Sequence, residues 1–401
     1  MKTLLVLILC LFVALNSIGQ DYPASGFTNK AEAKNLTVNG LKEGKWCEYI
    51  DTGYNISKDT ASQYYSLSVY KASEPFGTVR GYYKNGILFW ETPYKDGKKN
   101  GVGKVYYLNG ALSEENPYIN GKVNGVEKRY SVGGKLQGEA PFTDDKKNGV
   151  VKLYYQSGAI AEENPFSNNL MNGLAKGYYE SGSIQVEIPY INGKQSGVEK
   201  DYYESGKLKL EIPYKDGVMN GIAKEYYETG VLKLEKTSIN GEINGVQREY
   251  YESGKLSAEI PFIAGRINGV QKLYYESGKL KLETPTANNI KNGVSKLYYE
   301  NGNLKTEENI IDDKQSGVKK CYSENGKLNG ELPYSDDKLN GIEKLYFDNG
   351  VLEIEIPYKD DKKNGVEKEY YENGKLKSET TYSNGNWIAV KHYDENGNEI
   401  K

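Results

Sequence analysis

The stretch GVEKEYYENGKLKSETTYSNG, residues 365–385, places two runs of β-forming residues on either side of the dipeptide Asn373-Gly374. Glycine takes the positive φ that tight turns need, so Asn-Gly between two such runs predicts an antiparallel β-hairpin. We count the opening glycine of the stretch as position 0. Tyr370 is then at position +5 and Glu379 at position +14.

This pattern recurs thirteen times with a constant spacing of 24 residues. Recurrence between the repeats of one chain marks the positions on which their shared structure depends. Five positions hardly vary: glycine at 0 and +9, Lys or Arg at +3, Tyr at +5 and Glu at +14. The opening glycines are Gly77, Gly101, Gly125, Gly149, Gly173, Gly197, Gly221, Gly245, Gly269, Gly293, Gly317, Gly341 and Gly365.

The repeats predict an all-β fold, an elongated single-layer antiparallel β-hairpin array of about 13 units of 24 residues. An aromatic fraction of 12% argues against disorder, because aromatic side chains bury large areas. One hairpin is too small to bury a core, so each unit must be stabilised by its neighbours. At roughly 4.8 Å per strand, the array would extend for about 125 Å.

The turn sets the register of each hairpin. With a two-residue loop at +8 and +9, position +3 lies opposite +14 and position +6 lies opposite +11, whereas a three-residue loop with a bulge would shift the register by one residue. The two-residue loop places the invariant base directly across from the invariant acid. The predicted structural pairs include Lys104 with Glu115, Lys200 with Glu211 and Lys368 with Glu379.

Residues 1–19 are predicted to be a signal peptide. Lys2 precedes an apolar run over residues 4–14 that is too short to span a bilayer, and Ser17-Ile18-Gly19 is typical of a cleavage site. We therefore expect export to the periplasm, the cell surface or the extracellular space. No other apolar segment is long enough to span a membrane, so the mature chain is expected to lack a transmembrane segment.

The rest of the chain divides into three regions. Residues 20–76 form an N-terminal segment with one diverged repeat and an insertion, and residues 77–385 form the thirteen-unit array. Residues 386–401 are predicted to cap the C-terminal end, because WIAVKHYDENGNEIK, residues 387–401, looks like half a repeat shifted by one residue.

Two motifs resemble a known repeat family. The pattern G-x-W-x-x-Y at Gly44, Trp46 and Tyr49, and G-V-x-K-x-Y-Y-x-N-G-K-L through the array, resemble the MORN-repeat variant of bacterial proteins labelled as YwqK-family antitoxins. The resemblance covers roughly residues 40–400 and implies a MORN-like array. The label implies an antitoxin or immunity role, in which the chain neutralises a toxin partner.

No catalytic, cofactor-binding or metal site is predicted. Each glutamate at +14 has a base predicted opposite it, which argues against both a carboxylate active site and a calcium ladder. The turns Asp144-Asp145, Asp312-Asp313, Asp336-Asp337 and Asp360-Asp361 are better calcium candidates, but we favour solvated turns, since aspartate is common in turns.

Charge and rare residues exclude further classes of function. Lysines and glutamates alternate along a chain of net charge −3, without the basic face that nucleic acid requires. His392 is the only histidine and cannot build a histidine-ligated zinc site. Outside the signal peptide, Cys47 and Cys321 remain, and an extended array would place them too far apart for a disulfide.

We therefore expect a non-enzymatic repeat scaffold that binds protein or glycan along a surface lined by Tyr, Lys and Glu, without a cofactor. The alternative is the antitoxin or immunity role. A row of tyrosines can supply a large contact area, while the competing interpretation is packing within the sheet. The candidate binding row is Tyr82, Tyr106, Tyr130, Tyr154, Tyr178, Tyr202, Tyr226, Tyr250, Tyr274 and Tyr298.

Overall fold

The computed structural model describes residues 22–53 and 55–400, so the predicted signal peptide lies outside the described residues. Apart from a 3-10 turn at Lys30–Glu32, the regular elements of this part are β-strands in antiparallel pairs. This confirms the predicted all-β hairpin repeat fold. Within the described residues, no helix has the length and apolarity needed to cross a bilayer.

The chain divides into two compact parts, one ending at Ser183 and one starting at Ile184. The N-terminal part begins with strands Leu36–Val38, Leu41–Ile50, Ile56–Ser57, Tyr64–Lys71 and Glu74–Tyr83, the last of which is the first strand of the repeat at Gly77.

Every later repeat begins with a six-residue strand from position 0 to +5. These first strands are Gly101–Tyr106, Gly125–Tyr130, Gly149–Tyr154 and Gly173–Tyr178 in the N-terminal part, and Gly197–Tyr202, Gly221–Tyr226, Gly245–Tyr250, Gly269–Tyr274, Gly293–Tyr298, Gly317–Tyr322, Gly341–Tyr346 and Gly365–Tyr370 in the C-terminal part.

The second strand of each repeat runs from +11 to +18. The second strands are Leu88–Lys95, Leu112–Ile119, Leu136–Thr143 and Ile160–Ser167 in the N-terminal part, and Ile184–Ile191, Leu208–Lys215, Leu232–Ile239, Leu256–Ile263, Leu280–Ala287, Leu304–Ile311, Leu328–Ser335, Leu352–Lys359 and Leu376–Ser383 in the C-terminal part.

A two-residue strand at +21 and +22 returns against the second strand before the next repeat opens. These short strands are Lys98–Lys99, Lys122–Val123, Lys146–Lys147, Leu170–Met171, Lys194–Gln195, Val218–Met219, Glu242–Ile243, Arg266–Ile267, Ile290–Lys291, Lys314–Gln315, Lys338–Leu339 and Lys362–Lys363.

The hairpin turn differs from the predicted one. In the repeat at Gly245, the Tyr251 amide donates to the Lys255 carbonyl, which leaves the three residues 252–254 in the loop. Tyr250, one residue further from the turn, pairs with Leu256. A two-residue type I′ turn needs positive φ at both loop residues, but Gly254 has φ of 82° while Ser253 is not in that region. The predicted pairing of +6 with +11 is therefore wrong, and +5 pairs with +11 instead.

A β-bulge restores the predicted register beyond the turn. The register shifts between Glu249 and Tyr250, which leaves Ser257 as the extra residue on the second strand. From this point Arg248 lies opposite Glu259, so +3 faces +14. The loop and the bulge together produce the pairing of acid with base that was predicted from a two-residue loop.

The N-terminal segment covers one face of the diverged hairpin. Strand Tyr64–Lys71, which comes from the inserted sequence, pairs with both Leu41–Ile50 and Glu74–Tyr83. Phe27 packs against Leu67 and Val69, which are both 0% exposed. These two side chains are the largest fully buried ones in the described chain, so a core forms where the segment folds over the sheet.

The C-terminal end continues the repeat pattern. Strand Asn386–Tyr393 pairs with Leu376–Ser383, and Lys391 lies opposite Glu379 as the base at +3 does in a full repeat. The Tyr393 hydroxyl donates to Glu379 over 3.1 Å. Strand Glu399–Ile400 then returns against His392 and Tyr393.

The opening glycine is required by its backbone and by a neighbouring proline. Gly221 has φ of 129°, and a Cβ on it would lie 2.8 Å from Cγ of Pro213 at +16 of the preceding repeat. Where Thr237 replaces that proline, Gly245 has φ of 99° and a Cβ would meet nothing within 4 Å. Both glycines are in a region that side chains disfavour, but only Gly221 also faces a steric clash.

We expect Gly221→Ala to destabilise the chain by about 3 kcal/mol and Gly245→Ala by about 1 kcal/mol, because only the first adds overlap to backbone strain. Urea unfolding followed by circular dichroism measures both losses. The double variant Pro213→Ala, Gly221→Ala should recover part of the loss. Equal losses for the two alanine variants would show that the proline contact is unimportant.

Candidate functional site

The register divides the residues of each repeat between two faces of the sheet, since side chains alternate across a strand. The uniform face carries positions +1, +3, +5, +11, +14 and +16, where the repeats hardly differ. The variable face carries +2, +4, +13, +15 and +17, where residue type changes from repeat to repeat.

The glutamate at +14 links neighbouring repeats on the uniform face. Glu259 lies opposite Arg248 of its own repeat and Lys272 of the next one. The Arg248 Nε lies 3.3 Å from Glu259 Oε1, and the Tyr274 hydroxyl of the next repeat donates to Oε2 over 2.9 Å. One carboxylate therefore joins three strands.

The predicted acid–base pairs lie directly opposite each other. Lys104 pairs with Glu115, and Lys200 with Glu211, with 3.9 Å between Nζ and Oε1 in both pairs. Half-exposed ion pairs of this length contribute under about 1 kcal/mol each, so they stabilise the sheet only modestly. Lys368 also lies opposite Glu379.

The tyrosines of the predicted binding row are half-buried, apart from Tyr82, which is 7% exposed and stacks on Tyr65. Their hydroxyls donate to the +14 glutamate of the preceding repeat, an arrangement that the sequence pattern did not reveal. The hydroxyls that do so are those of Tyr106, Tyr130, Tyr154, Tyr178, Tyr202, Tyr226, Tyr250, Tyr274 and Tyr298.

These hydrogen bonds change the acidity of both partners. Burial, followed by the bond to Glu259, raises the pKa of Tyr274 to about 12. The Tyr178 hydroxyl, more than Lys152, lowers the pKa of Glu163. The hydroxyl lies 2.8 Å from the carboxylate, whereas Lys152 Nζ is 3.4 Å away and more exposed to solvent, so the hydroxyl stabilises the charged form more.

The tyrosine at +6 forms a second link between repeats. The Tyr251 hydroxyl donates to the backbone carbonyl of Tyr274 over 2.6 Å, and Tyr275 donates to the carbonyl of Tyr298 over 2.7 Å. Sequence reasoning missed this contact, although the recurrence of tyrosine at +6 was a visible signal. Its hydroxyl donates to a backbone carbonyl at the bulge, where the regular backbone hydrogen bonds between the strands are interrupted.

The bases at +3 and the glutamates at +14 form what we call the lysine–glutamate ladder. Beside this ladder, the uniform face carries an exposed apolar row at +1. Its members lie opposite position +16, as Val270 lies opposite Pro285. Their exposure ranges from 38% at Val246 to 53% at Ile222. The row comprises Val102, Val126, Val150 and Leu174 in the N-terminal part, and Val198, Ile222, Val246, Val270, Val294, Val318, Ile342 and Val366 in the C-terminal part.

The aspartate-rich turns have a structural role. Asp144 and Asp145 form a two-residue turn with φ of 49° and 67°, and Asp145 Oδ1 accepts the Val123 amide over 2.7 Å. Asp313 accepts the Lys291 amide in the same way. In the ranges that the structure describes, no group of three or more His, Cys, Asp or Glu side chains is placed to hold a metal ion.

The cysteines and the histidine are the remaining residues with reactive or metal-binding side chains. Cys47 and Cys321 are free and half-buried, and burial raises the pKa of both thiols. His392 is exposed on the C-terminal strand. A raised pKa disfavours the thiolate, which is the reactive form of cysteine.

One pair of carboxylates on the variable face lies outside the ladder. Glu199 at +2 and Asp201 at +4 both have a raised pKa, which in each case is chiefly due to burial. Asp201 Oδ1 is buried, and among the described residues it has no hydrogen-bond partner. In the repeat at Gly365, by contrast, Glu369 at +4 pairs with Lys377 over 2.8 Å.

We expect Tyr274→Phe to lower stability by about 1–2 kcal/mol at neutral pH, because it removes a charge-assisted hydrogen bond. The pKa of Tyr274 is raised on folding, so the contribution persists up to pH 10 and is lost as the pH rises through about 12. Urea unfolding at several pH values tests this. Tyr334→Phe is the control, since the structure shows no hydrogen bond from that hydroxyl to any described residue; an equal loss would contradict the prediction.

Asp201→Asn and Glu369→Gln should shift stability in opposite directions. The pKa of Asp201 is raised on folding, so its charge destabilises at neutral pH and Asn should raise the melting temperature by about 1–2 °C, a gain that shrinks towards pH 4. The pKa of Glu369 is lowered, first by Lys377, so Gln should lower the melting temperature at pH 7 and not in acid. Melting curves from pH 3 to 8 measure both, and parallel shifts would contradict the assignment.

Comparison with known structures gives remote matches. A crystal structure of TcdB2-TccC3-Cdc42 matches with 12% identity and a TM-score of 0.16, over 86% of this chain and 20% of that one. The Photorhabdus luminescens Tc holotoxin pore matches with 13% identity, the same TM-score and the same coverage. The chain spans about a fifth of their length, and such scores carry no argument about function. No curated protein matches the sequence.

A family model described as MORN repeat variant matches eleven segments of 22 residues, which together cover more than half of the chain. The segments are 99–120, 147–168, 171–192, 195–216, 219–240, 243–264, 267–288, 291–312, 315–336, 339–360 and 363–384. Each begins at the short strand and ends in the turn after the second strand. The chain therefore belongs to the MORN repeat variant family.

Proposed function

We propose that this MORN repeat protein is an exported, non-enzymatic scaffold that binds an extended protein or glycan along its uniform face. The observation that carries the proposal is the exposed apolar row at +1, present in twelve consecutive repeats. Soluble monomers rarely expose apolar patches larger than a few hundred Å², and larger ones mark interaction sites.

The N-terminal end of the chain provides an internal example of a covered uniform face. Leu67 and Val69 lie opposite Cys47 and Lys45 of the diverged hairpin, on the same face as the row. Both are completely buried, in a cluster to which the segment 22–33 contributes Phe27. The Ala24 carbonyl accepts the Thr78 amide, so the covering segment also bonds to the sheet backbone. An extended partner on the other repeats would gain the same kind of burial.

The tyrosine row gives this face a second kind of contact. The rings at +5 remain half-exposed, while their hydroxyls are held by glutamate. Because the rings are held in place, they offer contact area at low entropic cost. We therefore place the ligand between the row at +1 and the tyrosines, over the lysine–glutamate ladder.

The test uses the chain without residues 1–19 and two immobilised matrices, purified peptidoglycan and detergent-extracted envelope proteins. Changing Val198, Val246, Val270 and Val318 together to Thr keeps their shape but removes apolar surface. We expect retention on one matrix to fall at least tenfold. The matched control changes the same four residues to Ile, which occupies +1 at Ile222 and Ile342, and should bind as the wild type does.

No retention of the wild type on either matrix, or equal retention of the Thr and Ile variants, would contradict the scaffold proposal. The alternative, neutralisation of a toxin, comes from the family resemblance and predicts instead a soluble complex of fixed stoichiometry with a toxin encoded beside this chain. Fractionation of the source cells tests export, which fails if the chain stays in the cytoplasm with residues 1–19 attached.

A further inference from the structure

Two neighbouring repeats carry an unusual combination of large and small residues on the variable face. Trp90 at +13 is the only tryptophan of the thirteen repeats, and Gly81 lies directly opposite it. A Cβ on Gly81 would lie 2.1 Å from the indole Nε1, so the indole lies across this glycine. In the next repeat, Gly103 is the only glycine at +2.

These substitutions open a cleft of about 330 Å³ in the N-terminal part. A Cβ on Gly103 would lie 3.0 Å from Cε2 of Tyr118 and 3.2 Å from Oγ1 of Thr92. The absence of a side chain at Gly103 therefore leaves space beside these two atoms. The φ of Gly103 is not positive, so its backbone does not require glycine. The residues that line the cleft include Trp90, Thr92, Tyr94, Lys99, Asn116 and Tyr118.

The cleft contains polar groups that the protein leaves unpaired. Among the described residues, neither the Thr92 hydroxyl, the Asn116 amide nor the Trp90 indole N–H has a hydrogen-bond partner. In the C-terminal part the equivalent threonine, Thr284, shares a hydrogen bond of 3.1 Å with Ser295 at +2. Gly103 stands where that serine would be, so Thr92 lacks the partner that Thr284 has. The three groups remain accessible to solvent, so a ligand that displaces water from the cleft must hydrogen-bond to them in its place.

The composition of the cleft selects the class of ligand. The rings of Trp90, Tyr94 and Tyr118 present apolar surface, while the amide, the hydroxyl and the indole offer both donors and acceptors. Two lysines line the cleft: Lys104 lies opposite Glu115, and Lys99 Nζ lies 4.8 Å from the centroid of the Tyr118 ring. No carboxylate lines the cleft, which disfavours a cation, and an apolar side chain would leave the polar groups unpaired.

We propose that this cleft binds one pyranose ring of a carbohydrate. A pyranose has apolar C–H faces that stack on aromatic rings, and hydroxyl groups on its edge that donate and accept hydrogen bonds. Its size suits a site of a few hundred Å³. The proposal rests on the scaffold function above and narrows its ligand at this site to a glycan.

The test screens the chain without residues 1–19 on an array of oligosaccharides and soluble peptidoglycan fragments, followed by calorimetry with the best binder. Gly103→Ser reproduces the Thr284–Ser295 arrangement, so it should fill the cleft, satisfy Thr92 and keep or raise the melting temperature. We expect it to weaken binding at least tenfold. Trp90→Leu, with the residue found at +13 in Leu210, should also weaken binding.

Ala223→Ser makes a similar change at +2 of a repeat in the C-terminal part and should leave affinity unchanged. An array without any binder, or equal affinity of Gly103→Ser and the wild type, would overturn the carbohydrate proposal. The valine-to-threonine variant of the uniform face is measured in parallel. If it loses retention on the envelope matrices while the cleft variants behave as the wild type, the cleft proposal fails and the scaffold proposal stands.

Discussion

The carboxylate at +14 is the contact on which the repeat sheet depends. A single hairpin cannot bury a core, so its strands are stabilised mainly by what the next hairpin provides. Glu259 meets this need, because it lies on the middle strand of three and binds Arg248 on one side and Tyr274 on the other. The recurrence of Lys or Arg at +3, Tyr at +5 and Glu at +14 follows from this one contact.

The two faces of the sheet have different constraints. On the uniform face the ladder requires the same residues in every repeat, so any ligand there meets the same chemistry repeatedly. The variable face carries no such ladder, and its residues can differ as long as large and small side chains complement each other, as Trp90 and Gly81 do. Distinct sites can therefore arise only on the variable face, and repeated ones on the uniform face.

Sequence reasoning predicted the hairpins and the pairing of +3 with +14, but for a reason that was only partly right. It favoured a two-residue loop over a three-residue loop with a bulge, whereas Gly254 ends a three-residue loop and a bulge at Ser257 compensates. Loop length depends on whether the residue before the glycine takes positive φ, and Asn-Gly or Ser-Gly permits both outcomes. The role of the tyrosine hydroxyls was missed because each bond joins residues 15 positions apart in different repeats.

The sequence by itself determined the all-β class, the 24-residue unit and the hairpin in each repeat, because glycine spacing and β-propensity act over a few residues. Only the tertiary structure decided which side chains meet between repeats, that residues 22–33 cover Leu67 and Val69, and that Gly103 leaves Thr92 unpaired. These features depend on the packing of neighbouring strands, and packing depends on distances that the spacing of residues along the chain does not contain.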